Sequence, residues 1–208
     1  QAASSGGLPS SFGALTINKV CGSGLEAVPL AAQSILIGHA EDVEAGELAS
    51  MSNAPYLLPQ ARQGYRLGNG AVVDSMIHDG LWDVYNDYHM GITGENVAEK
   101  HSVSREEQDR FALDSHRKAA AAWREGRFGA EVMAVSVPPK KRGAKAESVT
   151  RDESVREDAT LEALAALAPA FRKEGTVTAG NAPGVNDAAA ALVVMSGEKA
   201  RELGIQPL

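Results

Sequence analysis

The spacing of apolar and polar residues changes several times along this chain, and each change marks an element. Ala14–Val20 alternates loosely and is rich enough in β-branched residues to predict a strand. From Gly22 to about Gly38 the period becomes helical, with Leu25, Val28, Ala32, Ile35 and Leu36 on one stripe and Gly38 closing the segment. Pro29 falls inside that helix, where the missing N–H and the ring's clash with the preceding turn cost about 3 kcal/mol, so a kink is expected. Asp42–Ser50 is of strand length, with Glu44 and Glu47 interrupting its apolar positions. Residues 51 to 90 hold turn-forming runs such as Ser52-Asn53-Ala54-Pro55 and Arg66-Leu67-Gly68-Asn69-Gly70 and promise little regular structure.

The second half of the pattern is more helical. Gly94–His101 predicts a short helix. Ser104 and Glu107 form a capping box for a longer one that runs to about Gly126. Phe111, Ala112, Ser115, Ala119, Ala122 and Trp123 are read as its apolar face, and Glu106–Arg110 and Asp114–Lys118 as ion pairs four apart. Val132–Val137 reads as a strand, Lys140–Arg142 as a basic, solvated turn, and Ala144–Asp158 as irregular. Thr160–Leu167 predicts a helix ended near Pro169, Ala188–Met195 a strand, and Gly197–Leu203 a helix closed by Gly204. The order is strand, helix, strand, a long insertion, strand and helix, which is an α/β class with an irregular inserted lobe. An insertion of that length in a compact protein is usually functional.

Composition narrows the partners. The 208 residues carry a net charge of −7, which disfavours nucleic acid as a partner. The apolar fraction is 44%, but no uninterrupted apolar run reaches the length of a membrane helix, so no membrane partner is expected. The single cysteine excludes an internal disulfide framework and suits a reducing compartment, so a cytoplasmic location is expected. The chain opens on Gln1 rather than Met, which leaves a start and a targeting segment upstream open. No pair of its five histidines has the spacing of metal ligands, and no metal is expected. His39, His78, His101 and His116 lie in segments that read as surface.

The cysteine is Cys21, in Ile17-Asn18-Lys19-Val20-Cys21-Gly22-Ser23-Gly24-Leu25, at a predicted strand-to-helix junction. A thiol there meets unsatisfied N–H groups and the positive end of the helix dipole, both of which favour thiolate. Gly22 and Gly24 leave room for a substrate, and the same N–H groups are candidates to hold an oxyanion. That suits covalent acyl transfer with sulfur as nucleophile. A lone cysteine is equally often a small buried hydrophobe, so position alone leaves both readings open.

Four motifs together settle the context. They are the Cys21 segment, Ser50-Met51-Ser52-Asn53-Ala54-Pro55-Tyr56, Asn86-Asp87-Tyr88-His89-Met90-Gly91 and Gly175-Thr176-Val177-Thr178-Ala179-Gly180-Asn181. In this order they resemble the thiolase family, and within it the short-chain, acetyl-CoA C-acetyltransferase branch. The resemblance implies a thiolase-like α/β fold, with a partial mixed sheet flanked by helices and a large inserted α+β loop domain. Residues 1–50 and 176–208 would belong to the discontinuous N-terminal domain, and residues 51–175 to a CoA-binding loop domain. Cys21 matches the family nucleophile. His89 and Met90 match residues lining the pantetheine and acyl pocket, and Leu81 a position beside the pantetheine. Arg156 and Phe171 match contacts to the adenine end of CoA, and Ala179 backbone near the pantetheine amides.

The implied reaction is reversible acetyl transfer, two acetyl-CoA giving acetoacetyl-CoA and CoA through a cysteine thioester. CoA is substrate and product, with no resident cofactor, and the assembly is a homodimer or homotetramer. A broader-chain 3-ketoacyl-CoA thiolase and a non-catalytic acyl-CoA-binding relative are the rival readings. The resemblance also implies a second half beyond Leu208 holding the base that activates the nucleophile, so the chain alone is expected to be inactive. An open half-sheet predicts exposed apolar faces and poor solubility. Some residues depart from the family pattern. Ala45-Gly46-Glu47-Leu48-Ala49-Ser50 replaces the usual Ala-Gly-Gly-x-Glu-Ser, which puts the register of that strand in question. Pro29 is unusual in the helix after the nucleophile. Pro183 stands where many members have a pantetheine-binding Ser, and Ala163 where some have a Ser near the adenine.

Overall fold

A computed structural model describes residues 1–139, 143 and 145–208. The expected basic turn at Lys140–Arg142 lies outside the described residues. The chain divides into two compact units, Gln1–Gly80 with Asn186–Leu208, and Leu81–Val185.

The first unit is built on one hairpin-like pair and one helix. A short turn of helix, α1 (Ala2–Ser5), precedes α2 (Ser23–Leu36), β1 (Asp42–Ser50), β2 (Tyr56–Leu57) and β3 (Val73–Asp74). β1 pairs antiparallel along its whole length with β8 (Asp187–Met195), from Asp42 opposite Met195 to Ser50 opposite Asp187, and α6 (Gly197–Glu202) follows. The strand at Asp42–Ser50 is therefore intact despite its two glutamates. Its odd positions turn one way: Ala45 is buried and Val43 and Ala49 are half-buried. Gly46 lets the backbones close up, since a Cβ there would come within 2.9 Å of the Ala190 carbonyl.

Two sequence expectations fail in this unit, the second only in part. Ala14–Val20 is not a strand; among the described residues no neighbouring strand pairs along it, and Leu15 is 82% exposed. A β-branched run alone cannot make a strand without a ladder partner. The covered residues of α2 include Gly24, Val28, Ala31, Ala32 and Ile35, so Val28, Ala32 and Ile35 fall where expected, while Leu25 and Leu36 lie on an exposed flank. Small residues won the packed face because they allow close approach to the sheet. The helix nevertheless ends as expected, with Gly38 at φ 74° after the Ile37 cap, and Pro29 is accommodated inside it.

The second unit is helical with small hairpins. β4 (Trp82–Asp83) pairs with β5 (Tyr88–His89), which leads directly into α3 (Met90–His101) and then α4 (Arg105–Arg124). α3 begins four residues before the expected Gly94, because the His89 side chain caps it by accepting the Gly91 amide at 2.9 Å. The capping box of α4 is present, with Ser104 Oγ accepting from Glu107 and Glu107 accepting from the Ser104 amide. Its buried stripe is Asp109, Leu113 and Ala120; of the expected face Ala112, Ala119, Ala122 and Trp123 are half-buried, whereas Phe111, 78% exposed, and Ser115 lie outside it. Glu106 pairs with Arg110 as expected, whereas Asp114 faces Arg117 instead of Lys118. Strand β6 (Val135–Val137) pairs with β7 (Glu147–Val149), a strand inside the stretch read as irregular. Its polar side chains hid it, because both strands of this pair are largely exposed and no apolar alternation is required. α5 (Leu161–Ala165) is capped by Thr160.

Candidate active site

The segment around Cys21 is a tight turn held by its own polar groups. The Gly22 amide donates to the Lys19 carbonyl at 3.1 Å and the Ser23 amide to the Val20 carbonyl at 3.1 Å. Ser23 Oγ donates to the Val20 carbonyl at 2.6 Å and accepts from the Lys19 amide at 2.8 Å, and the Val20 amide donates to Asn18 Oδ1 at 2.9 Å. The turn forces Val20 to φ 49°, a conformation that a β-branched residue adopts only when its surroundings impose it. The next residue is Cys21, exposed, one place before the Gly22 N-cap of α2. The structure thus places the thiol at a helix start and open to solvent, not among aliphatic side chains. The helix amides are occupied, however. Gly22 and Ser23 donate within the turn, and the Gly24 amide donates to Glu47 Oε2 of β1 at 2.9 Å. Those three amides, expected as oxyanion donors, already have acceptors.

The other candidate residues lie in the second unit, on a framework organised by a buried carboxylate. Along α3, Gly91, Gly94, Glu95 and Ala98 share one face at helical spacing. Gly94 lets Val177 approach, and Gly175 sits against the Glu95 carboxylate. Glu95 is 3% exposed; it accepts from the amides of Thr176 and Val177 and from the Thr176 hydroxyl, at 2.8 to 3.2 Å. Burial by itself pushes the Glu95 carboxyl up, but those bonds and the nearby Arg172 charge outweigh it and hold the group below the usual glutamate range. Arg172 in turn donates to Asn96 Oδ1 and Glu99.

Segment 169–171 pairs with 177–178 through the Ala170 amide and the Val177 carbonyl. Phe171 follows, stacked on the His89 ring at 5.0 Å and 19°. The fit depends on Gly91, because a Cβ there would overlap the Phe171 ring. Met90 joins Leu81 through a 2.8 Å main-chain bond. Leu81, His89, Met90 and Phe171 are therefore brought together. Ala179 is exposed and follows the fully buried Thr178, which is held by Asn181 Oδ1 at 2.7 Å. Asn181 also donates to Asp109, which is bonded to Arg105, so α4 and the 176–181 loop form one polar network. Gly180 fits under Leu164 and Leu167.

Arg156 is exposed, with its amide donating to His116 Nδ1 at 3.1 Å. His116, read as surface, is half-buried. Pro183 is exposed beyond the network, and Cys21 belongs to the other unit. Sequence reading missed Glu95 and Asp109, and took Glu47 only as an interruption of its strand and a departure from the family pattern. Each is a carboxylate at a position where the local period calls for an inward residue, and that mismatch is the signal.

Residues 1–198 match the family described as "Thiolase, N-terminal domain". An acetyl-CoA acetyltransferase of Cupriavidus necator is 55% identical over 208 residues, covering 100% of this chain and 52% of the relative. A probable acetyl-CoA acyltransferase of Staphylococcus aureus strain COL is 52% identical over 207 residues, again with 52% of its length covered. The solved acetyl-CoA acetyltransferase of Syntrophomonas wolfei superposes with a TM-score of 0.90 at 45% identity, covering 97% of this chain and 50% of that one. The chain spans about half the length of the curated relatives it matches. Among the described residues no helix is long and apolar enough to cross a membrane.

Proposed function

The chain belongs to the thiolase family, and from that premise we propose that it carries the acyl-accepting half of an acetyl-CoA acetyltransferase. The Cys21 thiolate attacks the carbonyl carbon of acetyl-CoA; the new S–C bond forms as the C–S bond to CoA breaks, and CoA leaves as a thiolate that takes up a proton. A base removes the α-proton of a second acetyl-CoA. The resulting carbanion attacks the acetyl group on Cys21, the C–C bond forms, and the Cys21 thiolate is released with acetoacetyl-CoA. In reverse, CoA cleaves acetoacetyl-CoA by the same route. The base belongs to the second half that the family resemblance implies, so the 208-residue chain by itself forms an acyl adduct at most and does not turn over.

CoA is substrate and product, and no metal or resident cofactor takes part. The binding lobe is drawn from residues 51–175. Leu81, His89 and Met90 line the pantetheine arm and the acyl group; Arg156 and Phe171 serve the adenine end, with Phe171 also propping His89. Ala179 and Pro183 run beside the pantetheine amides. Binding energy from this long ligand positions its thioester for attack. The complete protein is a cytoplasmic homodimer or homotetramer acting in lipid and fatty-acid metabolism.

The observation that carries this reading is the exposed Cys21 at the start of α2, on a turn held by Ser23 Oγ, Asn18 Oδ1 and two main-chain bonds. Intact-mass and peptide mass spectrometry after mixing with acetyl-CoA tests it. An acetyl group on Cys21, absent from Cys21→Ala, is expected; CoA binding without an adduct would identify a non-catalytic acyl-CoA binder and overturn it.

A further inference from the structure

Glu47 lies on the α2-facing side of β1, in register with Val43, Ala45 and Ala49, where the alternation calls for an apolar or small side chain. Its carboxylate reaches the first turn of α2 and accepts the Gly24 amide at 2.9 Å. It fills the space in which a Cβ on Gly24 would sit. A formal negative charge is thereby fixed at the same helix terminus that Cys21 precedes by one residue. An unopposed helix start carries a partial positive charge, and that charge is the part of the environment that favours a thiolate. A carboxylate bonded there cancels much of it and adds a like-charge repulsion.

We propose that Glu47 is a positioning residue that restrains Cys21: it locks the first turn of α2 in place and holds down the nucleophilicity of the thiol by occupying the Gly24 amide with an anion. The other charged groups at this terminus are Lys19, whose side chain lies beside Gly22, and Glu26 of the first turn of α2. They pair with each other at 2.7 Å, so their charges largely cancel and Glu47 supplies the unbalanced one. The functional meaning of the proposal rests on Cys21 being the acyl acceptor, but the effect on the thiol does not.

The rate of Cys21 alkylation by iodoacetamide, followed by mass spectrometry across pH 6 to 9 (an arbitrary range bracketing a thiol's usual value of about 8.5), separates the two. Glu47→Gln keeps an oxygen for the Gly24 amide and removes the charge. It is expected to alkylate roughly two- to fivefold faster than the parent chain near neutral pH, with its rate profile moved to lower pH. Glu47→Ala is expected to follow it, with far-UV circular dichroism checking that both fold. A rate for Glu47→Gln equal to or below the parent's overturns the proposal, and a change confined to Glu47→Ala reduces Glu47 to a purely structural cap. If Cys21 responds to Glu47→Gln yet never takes an acetyl group from acetyl-CoA, the acyltransferase reading fails while this inference stands.

Discussion

At the scale of single residues, carboxylates placed inward do the organising. Among the described residues no countercharge is bonded directly to Glu95; it is made tolerable by three donors from Thr176 and Val177. Its folded-state carboxyl lies below the ordinary value of 4.5. The ionised form is thus favoured by folding, and the stability it contributes is complete above about pH 4.5 and lost as pH falls through the depressed folded value. Glu95→Gln replaces an acceptor oxygen with an NH2 facing buried donors and should cost about 1–3 kcal/mol at neutral pH. Urea denaturation of both proteins from pH 7 downward checks this: the gap between them should close as acid protonates Glu95, and a pH-independent gap would sink the idea. Residues of this kind are the least legible from sequence, because a lone acidic side chain in a helix reads as solvated until its partners, some 81 positions away, are in place. Cys21 was legible only through its motif, since position left burial and nucleophile open. Its exposure came from the structure.

Elements differ in how much of themselves is written locally. The start of α4 needs only Ser104 and Glu107, three residues apart, and both reciprocal bonds are made. The ends of α2 and α6 needed only Gly38 and Gly204, which take φ 74° and 67°. Strands and helix faces depend on what lies opposite. Ala14–Val20 has strand composition without a ladder, whereas Asp42–Ser50 has two glutamates and a full-length partner. In α2 Val28, Ala32 and Ile35 lie where expected but the two leucines do not, because the contact with β1 selected Gly24 and Ala31 for closeness rather than Leu25 for bulk. Local signals should also fail locally. Ser104→Ala removes one cap and is expected to lower stability by about 1 kcal/mol, within a range of 0.5–2. Thermal melts followed at 222 nm would show it, and the His89–Phe171 stack on α3 should be untouched, as reported by an unchanged near-ultraviolet spectrum.

For the molecule as a whole, the question is what its apolar surface does. In the first unit Leu25 is 80% and Leu36 84% exposed, and Ile37, Leu48 and Val193 are exposed in the same unit. Strand β1 pairs only with β8, so among the described residues each has an edge with open hydrogen-bonding groups. Apolar side chains next to unpaired edges are a combination that monomers normally avoid, and a net charge of −7 provides the main opposition to association. The two effects respond oppositely to salt: screening weakens the repulsion and leaves the apolar attraction intact. Light scattering coupled to size exclusion should therefore show the 21.7 kDa chain giving mass averages that rise with protein concentration and rise further at high salt. A dye that brightens on apolar surfaces should report binding under the same conditions. A single 21.7 kDa species at every concentration and salt level, silent to the dye, would mean that these side chains are covered in solution, and the exposed face of α2 would have to be redrawn.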